Sequence, residues 1–231
     1  MTRRILNRLL EFVKPKEKNP AEIDKKFISD FLPDKPVIVD CGAHIGTDSI
    51  QWAKIKGSKV YAFEPVAEIF KRLLVQTISH SNIRCFNLAL SDYEGEAEMF
   101  VSSGESDGSS SLLKPKMHLL DHPRVRFDKI EKVKCTTLDN WAKENHVHKV
   151  DLLWLDMQGT EQKMLMASPK ILDTVSVIHT EVSLHETYQS VPLYNEFLEF
   201  LKEKNFIPVM EAIPRGYDMG NVLLIKKDRL Q

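Results

Sequence analysis

Three short segments of the chain hold residue types that could do chemistry together. The first is VIVDCGAHIGTDSI, residues 37–50. Asp40 stands just before a glycine-bearing turn, Gly42-Ala43-His44-Ile45-Gly46, and Thr47 opens the helical stretch that follows. Such a turn gathers free backbone N–H groups and the positive end of a helix beside the carboxyl end of a strand, where a carboxylate or phosphate can bind. The glycines let a ligand come close to the backbone. The spacing is not the G-x-G-x-x-G of dinucleotide enzymes. Asp40 favours a ligand with an ammonium or sulfonium group over a pyrophosphate, although a strand–turn–helix of this shape also occurs with no ligand.

The second segment, KVYAFEP, ends at Glu64 and Pro65, about 20 residues beyond the turn. An acid at the end of a second strand can accept both ribose hydroxyl hydrogens of an adenosine-type ligand. Turn and acid together point to a nucleoside-containing cofactor, and S-adenosylmethionine has the matching charges. The third segment is DLLWLDMQGTE, residues 151–161. It puts Asp156 at a strand end, Gly159 in a turn and Glu161 in the first helical turn, where an acid also complements the helix dipole. VIHTEVS then brings His179 and Glu181 onto one strand face, with His185 beyond them. A sulfonium ligand can donate its methyl group, a displacement that needs in-line alignment with the acceptor. A general base adds roughly 10²–10⁴-fold. Asp156, Glu181, His179 and Glu161 are the catalytic candidates, with His185 a further base. Carboxylates clustered at one cleft are also a divalent-cation pattern, but the expectation is that no metal is bound.

Strands and helices must alternate to place these residues. Val37–Cys41, Lys59–Phe63, Ile83–Leu90, Val150–Leu155 and Val175–Val182 read as short, buried strands. The stretches 46–56, 67–79, 160–172 and 191–204 read as helices. That alternation predicts a parallel sheet with helices on both faces. Phe206–Glu211 and Asn221–Lys226 flank the turn-rich IPRGYDMG and are expected to pair antiparallel. In the middle, Ala97–Ser102 and Lys132–Thr137 are strand candidates on either side of a long connection. Its Ser102–Ser111 stretch reads either as a lid over the acceptor or as a disordered tip. His118 and His122 read as solvated, and Trp52, Trp141 and Trp154 as core.

Residues 2–14 put Ile5, Leu6, Leu9, Leu10, Phe12 and Val13 on one helical face beside Arg3, Arg4 and Arg8. Such a helix fits peripheral contact with an anionic membrane, packing on the domain, or a homodimer. A second amphipathic helix, residues 21–32, carries Ile23, Phe27, Ile28 and Phe31. The expected division is an N-terminal helical extension, 1–32, and one α/β domain, 33–231. A chain of 231 residues with 42% hydrophobic side chains can bury a core of its own. Its formal net charge of -1 makes it a poor non-specific nucleic-acid binder, since such binding rests on many cations, and no nucleic-acid partner is expected. Cys41, Cys85 and Cys135 lack zinc-ligand spacing and read as reduced thiols. The chain has no apolar run of membrane-spanning length and no signal-peptide core, so a cytoplasmic location is expected.

The succession VIVDCGAHIGTDSI, VYAFEP, NLALSDYEGEAEMF, TTLDNW, DLLWLDMQGTEQKML and VIHTEV resembles the FkbM family of methyltransferases over about residues 36–210. The resemblance implies a Rossmann-like class I methyltransferase: a doubly wound, mostly parallel seven-stranded sheet with an antiparallel edge hairpin. It implies S-adenosylmethionine as cofactor and O-methylation of a sugar, glycan or small-molecule hydroxyl. It implies a cofactor pocket of Asp40, Gly42, Ala43, Gly46, Glu64 and Pro65, with Ala89 and Ser91 near the adenine. Asp156, Gly159, Glu161 and Glu181 match motif positions. His44 stands where the family usually has asparagine. Two other readings remain open: a nicotinamide oxidoreductase, which Asp40 and the absent third glycine oppose, and an inactive binding module, which intact Asp40, Glu64 and Asp156 oppose.

Overall fold

Strand β1, Val37–Cys41, is buried from Ile38 onward and alternates its side chains between two cores. In the computed structural model, which describes residues 21–217 and 219–229, it lies near the centre of a sheet. The basic stretch at residues 2–14 lies outside the described residues. β1 pairs in parallel with β2, Lys59–Phe63, on one side and with β7, Leu152–Leu155, on the other. β3, Ile83–Phe86, extends the sheet beyond β2, and β8, Val177–Ser183, extends it beyond β7. β10, Met219–Lys226, runs antiparallel between β8 and β9, Phe206–Ala212. The seven-stranded order is β3-β2-β1-β7-β8-β10-β9. The chain reverses its direction of winding between β1 and β7, the place where open α/β sheets form a crevice.

Helices cover both faces. Helix α1 is Lys25–Ser29, α2 Thr47–Ala53, α3 Ala67–Thr77 and α4 the short turn His118–Asp121. Farther along come α5, Leu138–Glu144, α6, Glu161–Met166, α7, Pro169–Leu172, and α8, Tyr194–Glu203. Trp141 of α5 packs edge-on against Tyr61, Phe63 and Phe86 at centroid distances of 5.0, 4.9 and 5.3 Å. On the other face Ile23, Phe27 and Ile28 bury themselves against Ile38, Val60, Leu152, Trp154 and Leu223. Residues 23–28 are thus part of the domain's core, and a boundary at residue 32 cuts through this layer.

The expected strand Ile83–Leu90 is broken. The Asn87 side-chain amide donates to the carbonyls of Glu64 and Pro65, both at 2.9 Å, and the chain leaves the sheet there. It resumes as β4, Ala89–Leu90, in a separate three-stranded sheet of order β4-β6-β5. There β5, Gly95–Gly104, and β6, Val125–Thr136, form a long antiparallel pair, longer than their sequence suggested.

Phe27 is 1% exposed, and truncating a buried phenylalanine costs about 3–5 kcal/mol. Phe27→Ala is therefore expected to lower stability by that amount in urea denaturation. A loss under about 1 kcal/mol would mean that α1 merely rests on the sheet.

Candidate active site

Where β1 ends, the Cys41 carbonyl accepts the Asp156 N–H at 2.9 Å, drawing the ends of β1 and β7 together. Gly42 follows at φ +87°, and a Cβ there would lie 1.9 Å from the Asp156 carbonyl oxygen. The N–H groups of Gly42 and Ala43 both donate to the Phe63 carbonyl, fixing the turn against β2. His44 has φ +50°, a left-handed conformation that asparagine, the usual residue of the family here, adopts more readily. Its backbone N–H donates to Glu64 Oε2 at 3.1 Å, while Val66 N–H donates to Oε1 at 2.8 Å. Burial nonetheless pushes the Glu64 carboxyl up to about 8, those two amide bonds opposing the rise.

These elements frame a cleft at the strand ends. Of the expected cofactor residues, Gly42, His44, Glu64, Pro65, Ala89 and Asp156 line it. Phe63, Ile69, Leu88, Leu90, Met99 and Leu112 complete an apolar wall that sequence motifs did not reveal. The other expected residues stand back from the cleft. Ala43 packs with Ala62 and Leu73, and Gly46 lies so close to Leu73 that a Cβ would sit 2.7 Å from Cδ1. Thr47 is exposed at the start of α2, and Ser91 lines a neighbouring groove. Asp40 is 1% exposed and accepts the Ser49 hydroxyl at 2.5 Å. Burial raises its carboxyl to about 7, with Asp48 and Asp156 adding to the rise and Lys25 opposing it.

At the far end, Gln158 joins two acids. Its Nε2 donates to Asp156 Oδ1 at 2.7 Å and to Glu181 Oε2 at 3.2 Å. Asp156 opens onto the cleft and its side chain is exposed there, while the protein packed around it raises its carboxyl against the Gln158 bond. Glu181 is held well above the usual range by burial and by the charges of Asp156 and Glu161. Glu161 is differently employed: it accepts the Met157 N–H at 2.8 Å and ties down the turn after β7, with its carboxyl raised by burial to about 7.

His179 does not join the acids. It stacks flat on Trp154 at 3.6 Å, in the core layer beneath α1, and burial together with Lys25 lowers it to about 3. Strand periodicity placed it on a face with Glu181, but the strand continues to Ser183 and leaves His179 inside the sheet. His185 pairs with Asp121 at 2.9 Å. His118, expected in solvent, is 3% exposed against Tyr188 and Phe127, and burial lowers it to about 4.

The Ser102–Ser111 stretch is pinned along the cleft. Phe100 and Ser111 exchange backbone hydrogen bonds, and Ser102 N–H donates to Ser110 Oγ at 2.9 Å. Asp107 reaches His44 Nε2 at 2.8 Å and Arg72 at 2.5 Å, strapping the segment to the turn and to α3. Among the described residues no group of three or more His, Cys, Asp or Glu could hold a metal ion, and no helix is long and apolar enough to cross a membrane.

The residues present fit S-adenosylmethionine. Glu64 suits the ribose hydroxyls, the apolar wall suits the adenine, and Asp156 suits the positive sulfonium. The chain is 28% identical over 225 residues to the 2-O-methyltransferase NoeI of Sinorhizobium fredii (strain NBRC 101917 / NGR234), covering 94% of this chain and 91% of that protein. Its fold is similar to that of an rRNA methylase from Streptococcus thermophilus, with TM-score 0.51, 16% identity, and 92% of this chain and 99% of that one covered. It is also similar to a Streptococcus mutans protein solved in complex with SAH, with TM-score 0.50, 14% identity, and 91% and 99% covered. The family model described as methyltransferase FkbM domain matches residues 40–208. That match spans most of the sequence, and the chain belongs to the FkbM family of S-adenosylmethionine-dependent methyltransferases.

Proposed function

We propose that this methyltransferase acts on a hydroxyl oxygen of a sugar, glycan or similar small molecule, with the Asp156–Glu181 pair receiving the hydroxyl proton. The observation that carries the reading is the carboxylate pair bridged by Gln158 at the strand ends, beside the glycine turn. The similarity to a 2-O-methyltransferase supports oxygen as the acceptor atom.

When bound, S-adenosylmethionine supplies an electrophilic methyl group on a sulfonium sulfur. The chain's own residues do the rest. Glu64, held by the amides of His44 and Val66, accepts hydroxyl hydrogens once it is ionised. The apolar wall excludes water from the donor side. Two carboxyls so close disfavour a double negative charge, so one retains a proton while the other is ionised. The ionised member can take the proton of an acceptor hydroxyl as its oxygen is alkylated.

Two outcomes follow from these assignments. Glu64→Ala is expected to weaken S-adenosylmethionine binding by about 1–3 kcal/mol, because the ribose hydroxyls lose a charged acceptor. Only the ionised carboxylate accepts both hydrogens, so wild-type affinity for S-adenosylhomocysteine should rise with pH toward about 8, and Glu64→Gln should lose that rise. Calorimetry across pH measures both.

The second outcome concerns Glu181→Gln. This variant is expected to keep cofactor affinity within about 0.5 kcal/mol. Its kcat, on a sugar acceptor found by screening methyl transfer, should fall roughly 10²-fold or more. Full activity of the variant would remove Glu181 from the proton's path.

A further inference from the structure

Gln158 uses every polar atom of its side chain. While Nε2 serves the two acids, Oε1 lies 2.9 Å from the Tyr188 hydroxyl. Its backbone is equally committed: φ is +57°, and its carbonyl accepts the Ser111 hydroxyl at 2.8 Å. Tyr188 is 1% exposed, and its ring is caged by His118 and Phe127 at centroid distances of 5.3 and 6.5 Å. Burial and the neighbouring acids keep its phenol protonated. The same hydroxyl lies 2.8 Å from the Ser109 carbonyl, in the segment that straps the cleft.

An amide whose N–H groups face two acids stays there only if its other end is also held. Without Tyr188, a flexible glutamine side chain has a free carbonyl end and several rotamers to visit. We infer that Tyr188 is a positioning residue for the reacting end of the site: its one hydroxyl hydrogen, shared between Gln158 Oε1 and the Ser109 carbonyl, holds the Gln158 amide and through it Asp156 and Glu181 in one arrangement. The inference rests on the proposed assignment of these two acids to the methyl-transfer end.

The arrangement has an electrostatic consequence that needs no acceptor to observe. Donor N–H groups on a carboxylate favour its ionised form. Asp156 also feels Asp48 and His44, and Glu181 feels Glu161. A change of Tyr188 to phenylalanine leaves all of those groups in place. S-adenosylmethionine carries a sulfonium that S-adenosylhomocysteine lacks, so the ratio of their affinities reports the negative charge near the sulfur. Contributions shared by both ligands, such as Glu64, cancel in that ratio.

The experiment is calorimetry of both ligands from acid to alkaline pH on the wild type, Tyr188→Phe and Gln158→Met. The wild type should prefer S-adenosylmethionine at high pH and lose the preference on acidification. In Tyr188→Phe the loss should begin about one pH unit higher, with S-adenosylhomocysteine affinity at alkaline pH within about twofold. Gln158→Met should shift the curve in the same direction and at least as far. A merely structural tyrosine would weaken both ligands in parallel and leave the curve in place, which overturns the inference. If Tyr188→Phe does not fold, an unmoved curve in Gln158→Met overturns it equally, since Tyr188 acts through that amide. A wild type with no preference at any pH removes Asp156 from the sulfonium end and overturns the assignment as well. A preference that neither variant shifts overturns only the role of Tyr188.

Discussion

The site depends on how closely two strand ends approach each other. One hydrogen bond, from Asp156 N–H to the Cys41 carbonyl, brings the end of β7 against the end of β1, and the gap left at Gly42 has no room for a side chain. A larger residue would have to push the two strands apart, and with them everything the strand ends carry. On one side of this junction the chain turns through His44 toward Glu64 and the apolar wall. On the other it turns through Gln158 toward Glu181. The donor half and the acid half of the cleft therefore meet at the last rung of the ladder that pairs β1 with β7.

The electrostatics are local in the same sense. The chain as a whole has a formal net charge of -1, yet the carboxyls of Asp40, Glu64, Asp156, Glu161 and Glu181 are raised above their usual range, with burial the leading cause in each case, while Arg72 and His44 lower that of Asp107. Lys25 opposes the rise at Asp40, and His44 opposes it at Asp156. Such acids attract a cationic ligand once they are ionised, whatever the charge of the remaining surface.

Much of this was legible in the sequence because it is carried by local signals. The apolar run of β1, the glycines behind it, the acid closing β2 and the acid closing β7 each declare themselves within a few residues. What stayed hidden is held by contacts between distant parts of the chain. Ser111 and Gln158 are 47 positions apart, and Tyr188 and Ser109 are 79 apart. No periodicity announces such pairs. His118 read as solvated because it stands in a long connection, while its neighbours in space are Tyr188 and Phe127. The break after Phe86 was missed because an asparagine side chain, rather than a glycine or proline, makes it. The resemblance to a family supplied the sheet order, which strand patterns alone leave open.

The strap has a consequence for how such an enzyme can diversify. The residues proposed to grip the donor lie at the ends of strands in the main sheet. The segment that walls the other side of the cleft runs between β5 and β6, on a small sheet of its own, and meets the rest of the site through side chains such as Asp107 and Ser111. Connections of this kind tolerate changes of length at little entropic cost. A lineage built on this plan can rewrite the shape of the wall while leaving the donor grip untouched, so that what is methylated can drift while the source of the methyl group stays fixed.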